Sequence, residues 1–140
     1  DYYDGLFLKN TAYAQKIASS MYNVGEDFSR ENKIIQISFD NFSKFKGNKE
    51  IYTFMIREID TGEIESENFV SYHIDLAKIH KKCYTKPVKE LSEFERYCLI
   101  LMAETKEFTS KISGDDKIMN KVRNKIETLS EDENRGVDND

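Results

Sequence analysis

The chain has 140 residues, of which 39% are hydrophobic and 34% charged. That is enough for one domain with a real core, and it excludes a compositionally disordered chain. No run approaches the roughly 20 apolar residues of a membrane span. The net charge of −5 belongs to the end of the chain, because residues 1–126 hold 20 acidic and 20 basic side chains; the body neither favours nor excludes nucleic acid on charge.

The first segment reads as a helix, with Leu6, Tyr13, Ile17, Met21 and Val24 on one stripe and Gly25 placed as a left-handed C-cap. After a polar connection, Ile34 to Phe39 is short and rich in β-branched residues, with Ile35, Ile37 and Phe39 on one face and Ile34, Gln36 and Ser38 on the other. It predicts an interior strand covered on both sides. Ile51 to Ile59 alternates as a strand, Asp60-Thr61-Gly62-Glu63 is a hairpin turn with Gly62 at positive φ, and Phe69 to Leu76 is the return strand. The apolar row of that return strand is Val70, Tyr72, Ile74 and Leu76, opposite Ser71, His73 and Asp75, which predicts a half-solvated hairpin.

Lys81 to Lys89 reads as a basic connection. Two helices follow. Ser92-x-x-Glu95 is a capping box ahead of a stripe of Phe94, Tyr97, Cys98, Leu101 and Met102. Ser113-x-x-Asp116 resembles such a box ahead of Ile118, Val122, Ile126 and Leu129. From Ser130 the sequence is acidic and nearly devoid of apolar residues, so disorder is expected there unless the parent continues as helix. The opening helix has no strand before it, although a helix leading into an interior-type strand normally crosses over from an earlier strand of the same sheet. With Asp1 in place of Met, the sequence is expected to continue upstream.

Candidate chemistry is sparse. His73 and His80 lie seven apart and do not converge as helical metal ligands would. Cys83 and Cys98 lack metal or redox spacing, and without a secretory signal they point to a reducing cytoplasm. Cys98 falls on a helix stripe as a small core residue. Asp40, next to the interior strand, suits an Asx turn with Asn41. Glu63, Glu65 and Glu67 alternate as on a solvated edge, and Asp115-Asp116 complements a helix dipole. Lys9 sits on the apolar stripe of the first helix, so it either snorkels past the helix edge or enters a polar pocket beside the sheet together with the Tyr13 hydroxyl. Lys78, Lys81, Lys82 and Lys86, with His80 and Tyr84 interleaved, have the composition of a phosphate-backbone track; the alternative is a solvated loop balanced by Glu90, Glu93 and Glu95. No catalytic set and no metal-ligand set closes within the chain, and a self-contained small-molecule enzyme is disfavoured because no convergent polar group can be named.

Taken in order, Lys9-x-x-x-Tyr13, Gly25-Glu26-Asp27-Phe28, Lys33-Ile34-Ile35-Gln36-Ile37-Ser38-Phe39 with Asn41-Phe42, Ile51-Tyr52-x-Phe54-Met55, Asp60-Thr61-Gly62-Glu63-Ile64, Tyr72-His73-Ile74-Asp75-Leu76 and Ser130-Glu131-Asp132-Glu133 resemble the PD-(D/E)XK nuclease-family transposases, the recombination-promoting nuclease-like proteins. The resemblance runs over nearly the whole chain. It implies an α/β (α+β) fold: a partial restriction-endonuclease-like core, a β-hairpin extension and C-terminal helices. In such a core an Asp on one strand and a Glu-x-Gln or Glu-x-Lys set on the next hold Mg²⁺, and both precede the helix that opens this chain. Residues 1–80 are then the C-terminal part of the core with its hairpin, 81–129 a helical region and 130–140 an acidic tail.

The resemblance further implies that the parent is a Mg²⁺-dependent, DNA-cleaving endonuclease of recombination or transposition, with DNA as its partner, and that this part supplies support and is inactive alone. Lys9 stands where the family usually has Arg, and keeps the charge without the bidentate fork; Lys9 and Tyr13 are its supporting active-site residues. The alternative is a non-catalytic interaction module from a degenerate member. An open apolar flank at Ile34 to Phe39 would drive self-association.

Overall fold

The computed structural model describes residues 6–20, 33–102 and 105–138. The chain divides into two compact units, Asp1–Asp75 and Leu76–Asp140. Among the described residues the first unit holds one α-helix and a three-stranded mixed sheet, and the second holds four α-helices, so the protein is of mixed α and β class.

In the first unit, helix α1 spans Leu6–Ser20. Its predicted stripe is not the covered face: Tyr13 and Ile17 are 57% and 53% exposed, whereas Ala14 is buried and Asn10 and Thr11 are half-buried. These short side chains let the helix backbone come close to the sheet, where the Asn10 carbonyl accepts a 2.8 Å hydrogen bond from Gln36 Nε2. Met21, Val24 and Gly25, the rest of the predicted stripe and cap, lie outside the described residues.

Strands β1 (Ile34–Asp40), β2 (Ile51–Phe54) and β3 (Phe69–Asp75) are ordered β1-β3-β2. The strand predicted to be interior therefore lies at an edge among the described residues, and the strand predicted to be half-solvated is the central one. The reason is physical. An apolar row such as Ile35, Ile37 and Phe39 marks a face suited to packing, but not how many strands flank it. β1 and β3 run parallel, with Gln36 beside Ser71, Ser38 beside His73 and Asp40 beside Asp75. The pleat puts these six on one face, and there the polar rows cover each other: Asp40, His73 and Asp75 are all buried. Ile35, Ile37 and Phe39 on the opposite face of β1 stay 55%, 54% and 50% exposed.

β2 pairs antiparallel with β3, Tyr52 beside His73 and Phe54 beside Ser71. It is shorter than predicted, because beyond Phe54 the ladder is reduced to a bridge between Arg57 and Ile64. The turn is as expected. Gly62 has φ 74°, its N–H reaches the Glu58 carbonyl at 2.9 Å, and the Glu58 carboxylate accepts from the amides of Asp60 and Thr61 at 2.8 and 2.6 Å. Those amides, Thr61 foremost, hold the Glu58 carboxyl below its usual range.

The second unit comprises α2 (Leu76–Cys83), a short 3-10 turn (Val88–Glu90), α3 (Glu93–Met102), α4 (Lys106–Ser113) and α5 (Lys117–Asp138). The predicted basic connection thus begins inside a helix. Leu76, Ile79 and Cys83, spaced three and four apart, form its buried face; reading Leu76 as the last strand residue hides that period. The capping box of α3 forms reciprocally, the Ser92 amide donating to Glu95 Oε1 at 3.0 Å and the Glu95 amide to Ser92 Oγ at 3.1 Å. Its buried residues are Cys98, Leu99 and Ile100, whereas Phe94 and Leu101 of the predicted stripe are exposed.

Helix α4 was not expected; Thr105 caps it, accepting from the Phe108 amide at 3.2 Å. Arg96 closes its other end, with Nε and Nη2 on the Ile112 carbonyl at 3.0 and 2.9 Å and Nη2 on the Ser113 carbonyl at 3.1 Å. Ser113 ends α4 instead of capping the next helix, and Asp116 caps α5 by accepting from the Met119 amide at 2.9 Å. Met119 is fully buried in that helix, and Ile118 is 68% exposed. Helix α5 continues to Asp138, across the segment whose composition predicts disorder. No helix among the described residues is long and apolar enough to cross a membrane.

Candidate functional site

The most organised polar group lies on the covered face of the sheet in the first unit. Parallel pairing sets Ser38 and His73 side by side with Asp40 one step along the same row. His73 Nδ1 lies 2.8 Å from Asp40 Oδ2, and Ser38 Oγ donates to Asp40 Oδ1 at 2.7 Å. A carboxylate only accepts, so Nδ1 carries the hydrogen and Nε2 is the nitrogen left for other work. The His73 ring is fixed from two further sides, edge-on to Phe45 at 5.3 Å and to Phe54 at 5.6 Å between centroids. Phe45, from the loop after β1, also packs on Tyr52 at 5.0 Å and folds that loop over the sheet.

Beside this cluster is a cavity of about 330 Å³ in which α1, β1, β2 and β3 all take part. Its apolar wall is Phe45, Phe54, Met55, Ile56 and Phe69, and Asn10, Thr11, Gln36, Ser71 and His73 supply polar atoms. Asn10 Nδ2 is buried without a hydrogen-bond partner, an arrangement that is costly unless something else satisfies it.

Chemically, the cluster orients an imidazole. It is not a nucleophile relay, because Ser38 and His73 both hydrogen-bond to Asp40, whereas a relay needs the hydroxyl on the far nitrogen of the ring. Among the described residues no group of three or more His, Cys, Asp or Glu is placed to hold a metal ion.

The residues singled out from sequence are placed as follows. Lys9 and Tyr13 are exposed on α1; the pocket beside the sheet is reached by the next two residues, Asn10 and Thr11. Lys78 is half-buried on α2, Lys81 and Lys82 are exposed on its last turn, and Lys86 is exposed just beyond it. Lys82 Nζ lies 3.3 Å from Glu95 Oε2, and His80 and Tyr84 stack with an interplanar angle of 7°. Asp40 is in the ring-orienting pair. Sequence reasoning missed the pairing of Asp40 with His73. The signal was present as two polar rows, Gln36-x-Ser38-x-Asp40 and Ser71-x-His73-x-Asp75, which only a parallel register brings together.

In the second unit, Cys83 Sγ donates to Glu95 Oε2 at 3.0 Å. Burial first, and then the Glu95 carboxylate, push the thiol up to about 11. The Cys83 thiol and the Ser92 amide hold the Glu95 carboxyl down at about 2. Such a thiol is structural, not nucleophilic.

Compared with known proteins, the chain matches no family model, no curated protein and no solved structure.

Proposed function

We propose that this chain is the supporting part of a metal-dependent DNA endonuclease linked to recombination or transposition, inactive alone, in which α1 and β1 back the strands that carry the catalytic carboxylates. One observation carries the reading: β1 pairs on one side only among the described residues, and its Ile35, Ile37 and Phe39 row is half exposed. A strand with that apolar row and a free side is suited to receive further strands. The order of sequence motifs adds to it.

The Mg²⁺ of such an enzyme does not fit the residues present. Asp40, the carboxylate at the exit of β1, is committed to Ser38 and His73. Lys81 and Lys86, exposed around the end of α2, are the proposed backbone contacts with Lys78. Lys82, held by Glu95, favours the second reading, a non-catalytic interaction module.

The test is plasmid nicking with Mg²⁺ by this chain and by one extended upstream. Nicking by the longer chain alone, lost with EDTA, supports the endonuclease. An upstream segment without an Asp and a Glu-x-Gln or Glu-x-Lys set, and no cleavage with any divalent ion, leaves the interaction module.

A further inference from the structure

We propose that the cavity beside the Asp40–His73 pair binds a nucleobase. The proposal stands on the cavity and does not require the endonuclease reading. At about 330 Å³ the space lies at the small end of ligand pockets, the scale of a base or nucleoside and not of a dinucleotide. Three phenylalanine rings, Phe45, Phe54 and Phe69, line it. Aromatic walls favour a planar π ligand, whose faces gain more from ring contacts than an aliphatic chain does.

The polar groups decide which planar ligand. Asn10 Nδ2 is a buried donor with no partner, and His73, whose Nδ1 is held by Asp40, leaves Nε2 for a ligand. An amide donor and an imidazole nitrogen on residues lining one apolar cavity suit a heteroaromatic ring whose edge carries hydrogen-bonding groups. A plain hydrocarbon would leave Asn10 unsatisfied. Nucleobases have such an edge by construction. Lys44, also lining the cavity, is exposed, with its Nζ 5.7 Å from the Phe45 ring centre; it is placed to meet a phosphate carried outward by the base.

The base has two possible sources, a free nucleoside or nucleotide and a single strand. The experiment is an NMR titration of the whole chain, following the Asn10 side-chain amide and the His73 ring, with adenosine, adenosine monophosphate and a short oligodeoxyadenylate. Indole and 1-naphthoate serve as planar controls. Saturable shifts of both signals with a nucleoside or the oligonucleotide, stronger than with either control, support the proposal, and the tighter of the two identifies the source. Asn10→Leu keeps the branched side-chain shape without the amide and should weaken base binding about tenfold, the effect of one lost hydrogen bond, while leaving indole bound. Ser71→Phe tests the same point by filling the cavity and should abolish the shifts with the circular dichroism unchanged. The proposal is overturned by unperturbed Asn10 and His73 signals with every base, by controls that bind as tightly, or by unchanged base affinity in Asn10→Leu.

Discussion

Glu95 shows how one side chain ties several levels together. Its carboxylate closes the capping box of α3 through the Ser92 amide, accepts from the Cys83 thiol of α2 and pairs with Lys82. Glu95→Ala should cost about 1–2 kcal/mol. Glu95→Gln retains a capping-box residue and should cost less, which urea melts would resolve. The pH dependence follows from the same contacts. The Glu95 carboxyl is lowered from 4.5 to about 2, so its contribution is complete above pH 4.5 and is lost as pH falls toward 2. The Cys83 thiol is raised from 9.0 to about 11, so its contribution is complete below pH 9 and is lost as pH rises through 11. Stability of the helical unit, followed by far-UV circular dichroism, should be flat with respect to these two groups between those limits, and Glu95→Gln should soften the acid side. Arg96 is a second such residue. Three hydrogen bonds to the last carbonyls of α4 make Arg96→Met worth about 2–3 kcal/mol of lost stability in the same melts.

At the level of elements, what was legible in sequence was local. The box at Ser92 and Glu95 lies within four residues, and the Asp60-Thr61-Gly62 turn is fixed by backbone conformation. Gly62, at φ 74° with open space around its Cβ position, should cost about 1–2 kcal/mol on Gly62→Ala from backbone strain alone; thermal melts in which that variant matches the parent would refute the turn geometry. What was not legible depended on distant partners. The centre of the sheet is β3, which carries a polar row that reads as solvent-facing until β1 lays its own polar row alongside. α2 was hidden because Leu76 serves equally as a strand end and as the first residue of a helical face. α4 has only Ile112 as a fully buried aliphatic side chain, and its ends are held by Thr105 and by Arg96, the latter sixteen residues before Ile112. The candidate site followed the same division: His73 and Asp40 were visible as residues, but their pairing across 33 positions was not.

For the whole molecule, the account rests on a sheet whose polar side is covered and whose apolar side at β1 is half open. Exposed apolar rows beside a strand edge that is unpaired among the described residues recruit a partner, either further strands of the same protein or another copy. The direct test is light scattering after size-exclusion chromatography of the 140-residue chain over a range of concentrations, alongside Ile37→Lys, which puts a charge in the middle of the row. Concentration-dependent self-association that Ile37→Lys abolishes is the expected result. A compact monomer at the highest concentration, equal to the variant, would contradict it.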